Sequence, residues 1–308
     1  HYSDQEIGAL LHGAHQVRVM PDVIERLVRT LNNPPRELLY RLTLPIGSFE
    51  QAEVAILASV TPAIDRPLER FHTLLGPWVQ RDTDTSFLVS PLVRPLGQTE
   101  LNEDVRKQCY RQLAEAVTRK GTMSQHECSN AIVYNLLAGE HGRALTLYVL
   151  LLMAAVKEQR STHIVRTVDM WRNTPLPTGV SVGNQLFVRA YQLTAFIEFG
   201  LDTTYILRDI DALLGQATER DGWGIIALAA QSVGKFRERD ASRALRYVRR
   251  AIALPALYGP DGEAMECDEI APVKMLWMLV TELRSQSLLH EWFDAIEALP
   301  EDEAERFW

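Results

Sequence analysis

Trp78-Val79-Gln80-Arg81-Asp82-Thr83-Asp84-Thr85-Ser86-Phe87-Leu88-Val89-Ser90 is the stretch that departs from helical spacing. Two short β-prone runs flank four polar turn formers, which is how a β-hairpin is written. Ahead of it the apolar spacing predicts short helices over 36–42, 49–59 and 68–75. Three short helices followed by one hairpin, all within about 60 residues, is the order of a winged helix, and 36–100 reads as a winged-helix domain. Further toward the start, helices are predicted over 4–11 and 21–31, and 1–35 reads as a helical linker or the tail of an upstream helical subdomain.

Beyond residue 100 the pattern is helix after helix: 103–119, 124–137, 142–157, 163–171, 182–199, 203–219, 223–236, 241–254, 269–286 and 288–298. Short connections force antiparallel neighbours, so 101–308 reads as an α-solenoid of degenerate tetratricopeptide-like helix pairs, and the fold class is mainly α. Arg143-Ala144-Leu145 recurs 100 residues later as Arg243-Ala244-Leu245, close to three periods of the roughly 34-residue tetratricopeptide unit. The helix from Arg243 to Pro255 fits the second helix of such a unit. Ala244 and Ala251 are the small residues, Tyr247 fills between helices, and Pro255 ends the helix. Trp223, Ala227 and Gly234 fit the first helix, although the connection is about five residues longer than the motif. Ala131, Tyr134, Gly139 and Ala144 form a looser second copy.

Composition narrows the function classes. The chain has 308 residues, 46% of them apolar, and 32 Lys and Arg against 40 Asp and Glu give a formal charge of −8. That balance argues against nucleic acid or an anionic membrane surface as a partner. Cys109, Cys128 and Cys267 suit neither a disulfide framework nor a four-ligand zinc site, and point to a reducing, cytoplasmic setting. The longest apolar run, from Ala144 to Val156, is too short for the roughly 20 residues of a membrane span and reads as a core helix. The chain opens on His1 with no signal-like segment after it, which reads as a piece of something longer.

The run Glu37-Leu38-Leu39-Tyr40-Arg41-Leu42-Thr43-Leu44-Pro45-Ile46-Gly47-Ser48-Phe49 resembles the opening of the winged-helix domain in signal-transduction ATPases with numerous domains, the STAND family. The similarity continues into Phe87-Leu88-Val89-Ser90-Pro91-Leu92-Val93-Arg94-Pro95-Leu96 and covers 36–97. Val89, Ser90 and Pro91 stand where many relatives have Met, His and Asp, and the family His contacts the β-phosphate of ADP. The resemblance therefore makes Ser90 the candidate contact to a nucleotide held by an upstream domain, with a hydroxyl in place of a cation. It also implies that the ATPase machinery precedes residue 1, that ATP or ADP belongs to the parent protein, and that this chain carries no cofactor. Within the chain no Gly-x-x-x-x-Gly-Lys-Ser/Thr loop occurs: Gly234-Lys235 has Ala229 in place of the first Gly and Phe236 in place of Ser or Thr.

Other constellations are weaker. His126-x-Cys128 lacks a second close pair of ligands, with Cys109, His141 and His163 the nearest others, and no metal is assigned. No Gly-x-Ser-x-Gly or cysteine-nucleophile motif occurs. The acidic stretch 261–269 lacks calcium-loop spacing and reads as a solvated connector. Arg239, Arg243, Arg246 and Arg250, spaced 4, 3 and 4, share one helix face and are the candidate partner-binding stripe, for an acidic surface or a phosphate. Leu145, Tyr148, Val149, Leu152 and Val156 read as core, and Trp171, Trp223, Trp277, Trp292 and Trp308 as gap fillers between helices.

Together these features predict a non-enzymatic regulatory region of a STAND-type ATPase. Its repeats would bind a protein trigger or partner, and its winged helix would relay the state to the upstream nucleotide-binding domain. The alternative is a DNA-binding transcription regulator, with a winged helix reading the major groove and a helical-repeat domain sensing a ligand. The predicted recognition helix, 68–75, supplies only Arg70 with Arg66 just ahead of it. A hydrolase has no assembled motif.

Overall fold

The computed structural model describes residues 20–158, 168–254, 272–299 and 301. The predicted helix 4–11, residues 163–167, the acidic stretch 261–269, Pro255, Cys267 and Trp308 lie outside them. The described chain is mainly helical and divides into two compact units, the first running to Glu140 and the second starting at His141.

The first unit begins with α1 (Met20–Arg29) and α2 (Asn33–Leu42) and continues through β1 (Phe49–Glu50), α3 (Gln51–Ser59), α4 (Pro67–Leu74), β2 (Val79–Arg81) and β3 (Ser86–Val89). It closes with α5 (Leu96–Glu100), α6 (Glu103–Thr118) and α7 (Gln125–Ala138). The predicted hairpin is present, with Val79 opposite Val89 and Arg81 opposite Phe87. A third strand was not expected. Phe49, read as the start of a helix, pairs instead with Phe87 across an antiparallel β1–β3 ladder, giving the sheet order β1-β3-β2. Glu50 then caps α3 reciprocally with Glu53, so the strand ends where the helix begins.

Burial explains the Leu-rich run. Leu38, Leu39, Leu42, Leu44 and Phe49 are all buried, and Phe49, Phe71 and Phe87 form an aromatic cluster with centroids 4.9 to 6.1 Å apart. Arg41 lies inside this core, fully buried. Its guanidinium donates to the carbonyls of Leu57 (2.9 Å), Val60 (2.8 Å) and Pro62 (2.8 Å) at the end of α3, and pairs with Glu37 at 3.1 Å. One cation thus satisfies carbonyls that the helix end leaves without partners.

The boundary expected at 100/101 does not coincide with the division after Glu140. The reason is packing: Cys109, Tyr110, Leu113, Tyr134 and Ala138, on α6 and α7, join the same buried cluster as α2 and the sheet. Tyr134 stacks on Tyr110 and its hydroxyl accepts from the Ile46 N–H at 2.8 Å.

The second unit holds α8 (His141–Glu158), α9 (Val182–Glu198), α10 (Thr204–Gln216), a 3-10 turn at Glu219–Asp221, α11 (Gly222–Lys235), α12 (Ala241–Ile252), α13 (Pro272–Val280) and α14 (Gln286–Glu297). Polar caps fix several starts: Ser181 accepts from Asn184 N–H, Asp240 from Arg243 N–H and Ser285 from Leu288 N–H. α9 packs on α8, α10 and α11, α11 on α12 and α13, and α12 on α13 and α14. Arg143-Ala144-Leu145 and Arg243-Ala244-Leu245 open α8 and α12 respectively, with Ala and Leu buried in both. The pairs α9/α10 and α11/α12 start at Val182 and Gly222, 40 residues apart, which is longer than the roughly 34 of the tetratricopeptide unit.

Ala251 is buried on α12 beside Tyr247 and Val248, whereas Ala253 is exposed at the helix end. Ala251→Leu is therefore expected to lower stability by about 1–3 kcal/mol through overpacking, and Ala253→Leu to leave it nearly unchanged. Urea melts of the two variants check this, and equal midpoints would remove Ala251 as a packing contact.

Candidate functional site

The arginine stripe is only partly assembled. Arg239 lies in the turn before α12 and not on the helix, because Asp240 caps the first turn after it. Arg243 pairs with Asp240 (3.1 Å) and with Asp211 of α10 (3.2 Å), and Arg246 reaches the other oxygen of Asp211 at 3.0 Å. These two cations hold α12 to α10 across neighbouring helix pairs. Arg250 is exposed, one turn further on. The spacing of 4, 3 and 4 located a charged edge, but not the carboxylate that occupies its centre. Arg246→Glu should cost less than about 1 kcal/mol, since both side chains are substantially exposed. Arg246→Ala should cost less in an Asp211→Ala background than in the wild type in urea melts, and equal costs would show that the pair does not couple the helices.

Ser90 follows β3, half-buried, with its backbone N–H bonded to the Trp78 carbonyl at 2.9 Å. Gly234-Lys235 sits at the C-terminal end of α11, where Lys235 pairs with Glu198 at 2.6 Å. Phosphate cradles use helix N-termini, so this end has the wrong polarity for an anion.

His126 is exposed and Cys128 buried on α7, on different faces of one helix. Among the described residues no group of three or more His, Cys, Asp or Glu side chains is placed to hold a metal. Cys109 is fully buried, and burial pushes its thiol up to about 12, so at neutral pH it carries its proton. No helix among the described residues is long and apolar enough to cross a membrane.

Two features of the second unit were not read from the sequence. One is a crossing of α9 and α11 built on glycine. A Cβ on Gly224 would lie 2.1 Å from the Gly183 carbonyl oxygen, so only glycine permits this approach. Asp221 adds to it by accepting from Gly183 N–H at 2.7 Å while its other oxygen receives Thr218 N–H and hydroxyl. Gly234, offered as a first-helix position of the repeat, has open space around it. The Gly222-Trp223-Gly224 triplet at a helix start was the available signal.

The other feature is a groove of about 460 Å³ between α8 and α9 that reaches Trp223 on α11. Leu150 and Met153 line it while 52% and 47% exposed. Phe187 forms the opposite wall, its ring 4.5 Å from that of Trp223. The expectation that Trp223 merely fills a gap between helices misses this exposed side. Trp171 and Trp292 do pack inward, against Tyr148 and onto the Leu276 carbonyl, whereas Trp277 is 54% exposed.

No protein-family model matches the chain, and no curated protein does. Among solved structures it is similar to the crystal structure of a signal-transduction ATPase with numerous domains bearing a tetratricopeptide repeat sensor, from Pyrococcus horikoshii. The identity is 11% and the TM-score 0.37, over 92% of this chain and 47% of that one. The chain thus spans about half the length of that structure.

Proposed function

We propose that the chain is a non-catalytic regulatory region of a STAND-type ATPase, in which helical repeats bind a trigger and a winged helix relays its presence to a nucleotide-binding domain. The observation that carries this reading is the order α2-β1-α3-α4-β2-β3 with the sheet order β1-β3-β2. That order supports the winged-helix reading, and the run 37–49, which resembles the family's, covers most of α2 and the start of β1. The stacked pairs α9/α10, α11/α12 and α13/α14 support a solenoid of degenerate repeats, whose extended surface suits recognition.

The DNA-binding alternative gains nothing from α4. Arg70 is held by Asp65 at 2.6 Å and Arg66 lies 3.6 Å from Glu69, so both cations of the would-be recognition helix have carboxylate partners. The reading predicts that the chain alone neither binds ATP tightly nor hydrolyses it, and does not retain duplex DNA at low salt. Calorimetric titration with ATP and gel shift with DNA check this. Stoichiometric ATP binding would overturn the absence of a nucleotide site, and DNA binding at low micromolar concentration would favour the transcription regulator.

A further inference from the structure

The groove between α8 and α9 has the properties of a ligand site. Its volume, about 460 Å³, falls within the roughly 300–1,000 Å³ of small-molecule pockets. Its walls are mainly aliphatic, aromatic and thioether side chains, and among the described residues no charged one lines it. A charged ligand group would therefore lose water without gaining a counter-ion, which selects against ions.

Polar groups are few and lie together. Asn184 and Trp223 line the groove, and neither the Asn184 amide nor the Trp223 indole has a hydrogen-bond partner among the described residues. The indole nitrogen lies against Gly183, the residue preceding Asn184: a Cβ on Gly183 would come within 2.9 Å of it. Two N–H donors thus stand at one end of an apolar slot, while Thr146 already spends its hydroxyl proton on the Gly142 carbonyl. The indole N–H can only donate and the Asn184 amide can turn its NH2 to the same side, so beside apolar walls the pair fits a ligand that brings an acceptor.

We infer that this groove binds a neutral, mainly apolar small molecule carrying a carbonyl-type acceptor, held between Met153, Leu150 and Phe187 with the acceptor toward Asn184 and Trp223. This deepens the proposed function, since it rests on the second unit being the sensing part, and names the chemistry of the trigger.

The test uses the whole chain and prodan, a neutral naphthalene ketone whose emission moves to the blue in apolar surroundings. The expected result is a blue-shifted signal that saturates at one probe per chain below about 100 µM. Leu150→Asp and Met153→Asp, at exposed positions that leave folding intact, should each weaken binding at least about tenfold. Asn184→Ala should weaken it about fivefold by removing one donor. Met278→Asp, on a separate exposed apolar stretch of α13, should leave it unchanged. Unsaturable binding, or equal loss in Met278→Asp and Leu150→Asp, would overturn the site. Probe binding reads the groove alone, whereas loss of relay to a nucleotide domain reads the regulatory role, so either can fail without the other.

Discussion

Gly224→Ala should destabilise the second unit by about 3 kcal/mol or more, at the upper end of what overpacking costs. The new methyl carbon would sit 2.1 Å from the Gly183 oxygen, 2.8 Å from its carbonyl carbon and 2.9 Å from its Cα. All three are backbone atoms, so no side chain can swing away and the two helices must separate. Separation also stretches the Asp221 bond to Gly183 N–H and loosens Trp223 against Phe187. Gly234→Ala is the control within the same helix. It meets nothing within 4 Å, so there the exchange should stabilise by about 0.4–1 kcal/mol through helix propensity and a less disordered unfolded state. Urea melts of the two variants should move in opposite directions, and a neutral Gly224→Ala would mean that α9 and α11 do not cross as described.

Arg189→Leu is expected to cost about 3–5 kcal/mol, the range for breaking a buried ion pair from one side. The guanidinium is fully buried. It pairs with Asp209 at 2.7 Å and donates to the carbonyls of Trp171 (2.9 Å) and Thr174 (2.8 Å) and to the Gln192 side chain (2.5 Å). Gln192 in turn reaches the Tyr148 hydroxyl and the Met170 carbonyl, so α8, α9, α10 and the segment 168–174 share one polar network. Leu fills much of the volume but leaves a carboxylate, an amide and two carbonyls without their donor. Arg189→Lys keeps the charge and loses the fork that serves several acceptors at once, so it should fall between wild type and Leu. Tyr148→Phe removes one hydroxyl and should cost about 1 kcal/mol. A Leu variant within 1 kcal/mol of wild type in urea melts would show that the network contributes little.

The parts of the fold legible in sequence were those written as local periodicity. The hairpin at 78–90 and nearly every described helix follow from spacing and turn formers, and Ala251 was placed correctly on the buried face. What escaped depends on distant partners. Phe49 looks like a helix start because nothing near it in sequence reveals Phe87 as its strand partner. Nothing near Arg41 and Arg189 in sequence marks them as buried, since Arg is usually solvated and the carbonyls that satisfy them lie 15 to 21 residues away. The stripe from Arg239 to Arg250 was found as a pattern, yet its centre is tied to Asp211, 32 and 35 residues upstream. The groove was invisible for a related reason: Leu150 and Met153 belong to an apolar run that reads as core, and only packing shows which residues the neighbouring helices leave uncovered.

The proposed regulatory role requires a nucleotide-binding domain joined to this chain. The most direct measurement takes the complete reading frame that contains the chain and compares ADP affinity and ATP turnover before and after removal of residues 36–308. The expected result is that the complete protein binds ADP and that removal changes turnover or ADP release at least about tenfold, the size of a typical coupling of about 1.4 kcal/mol. A complete protein that binds no nucleotide, or one whose turnover and ADP affinity stay the same after the removal, would contradict it.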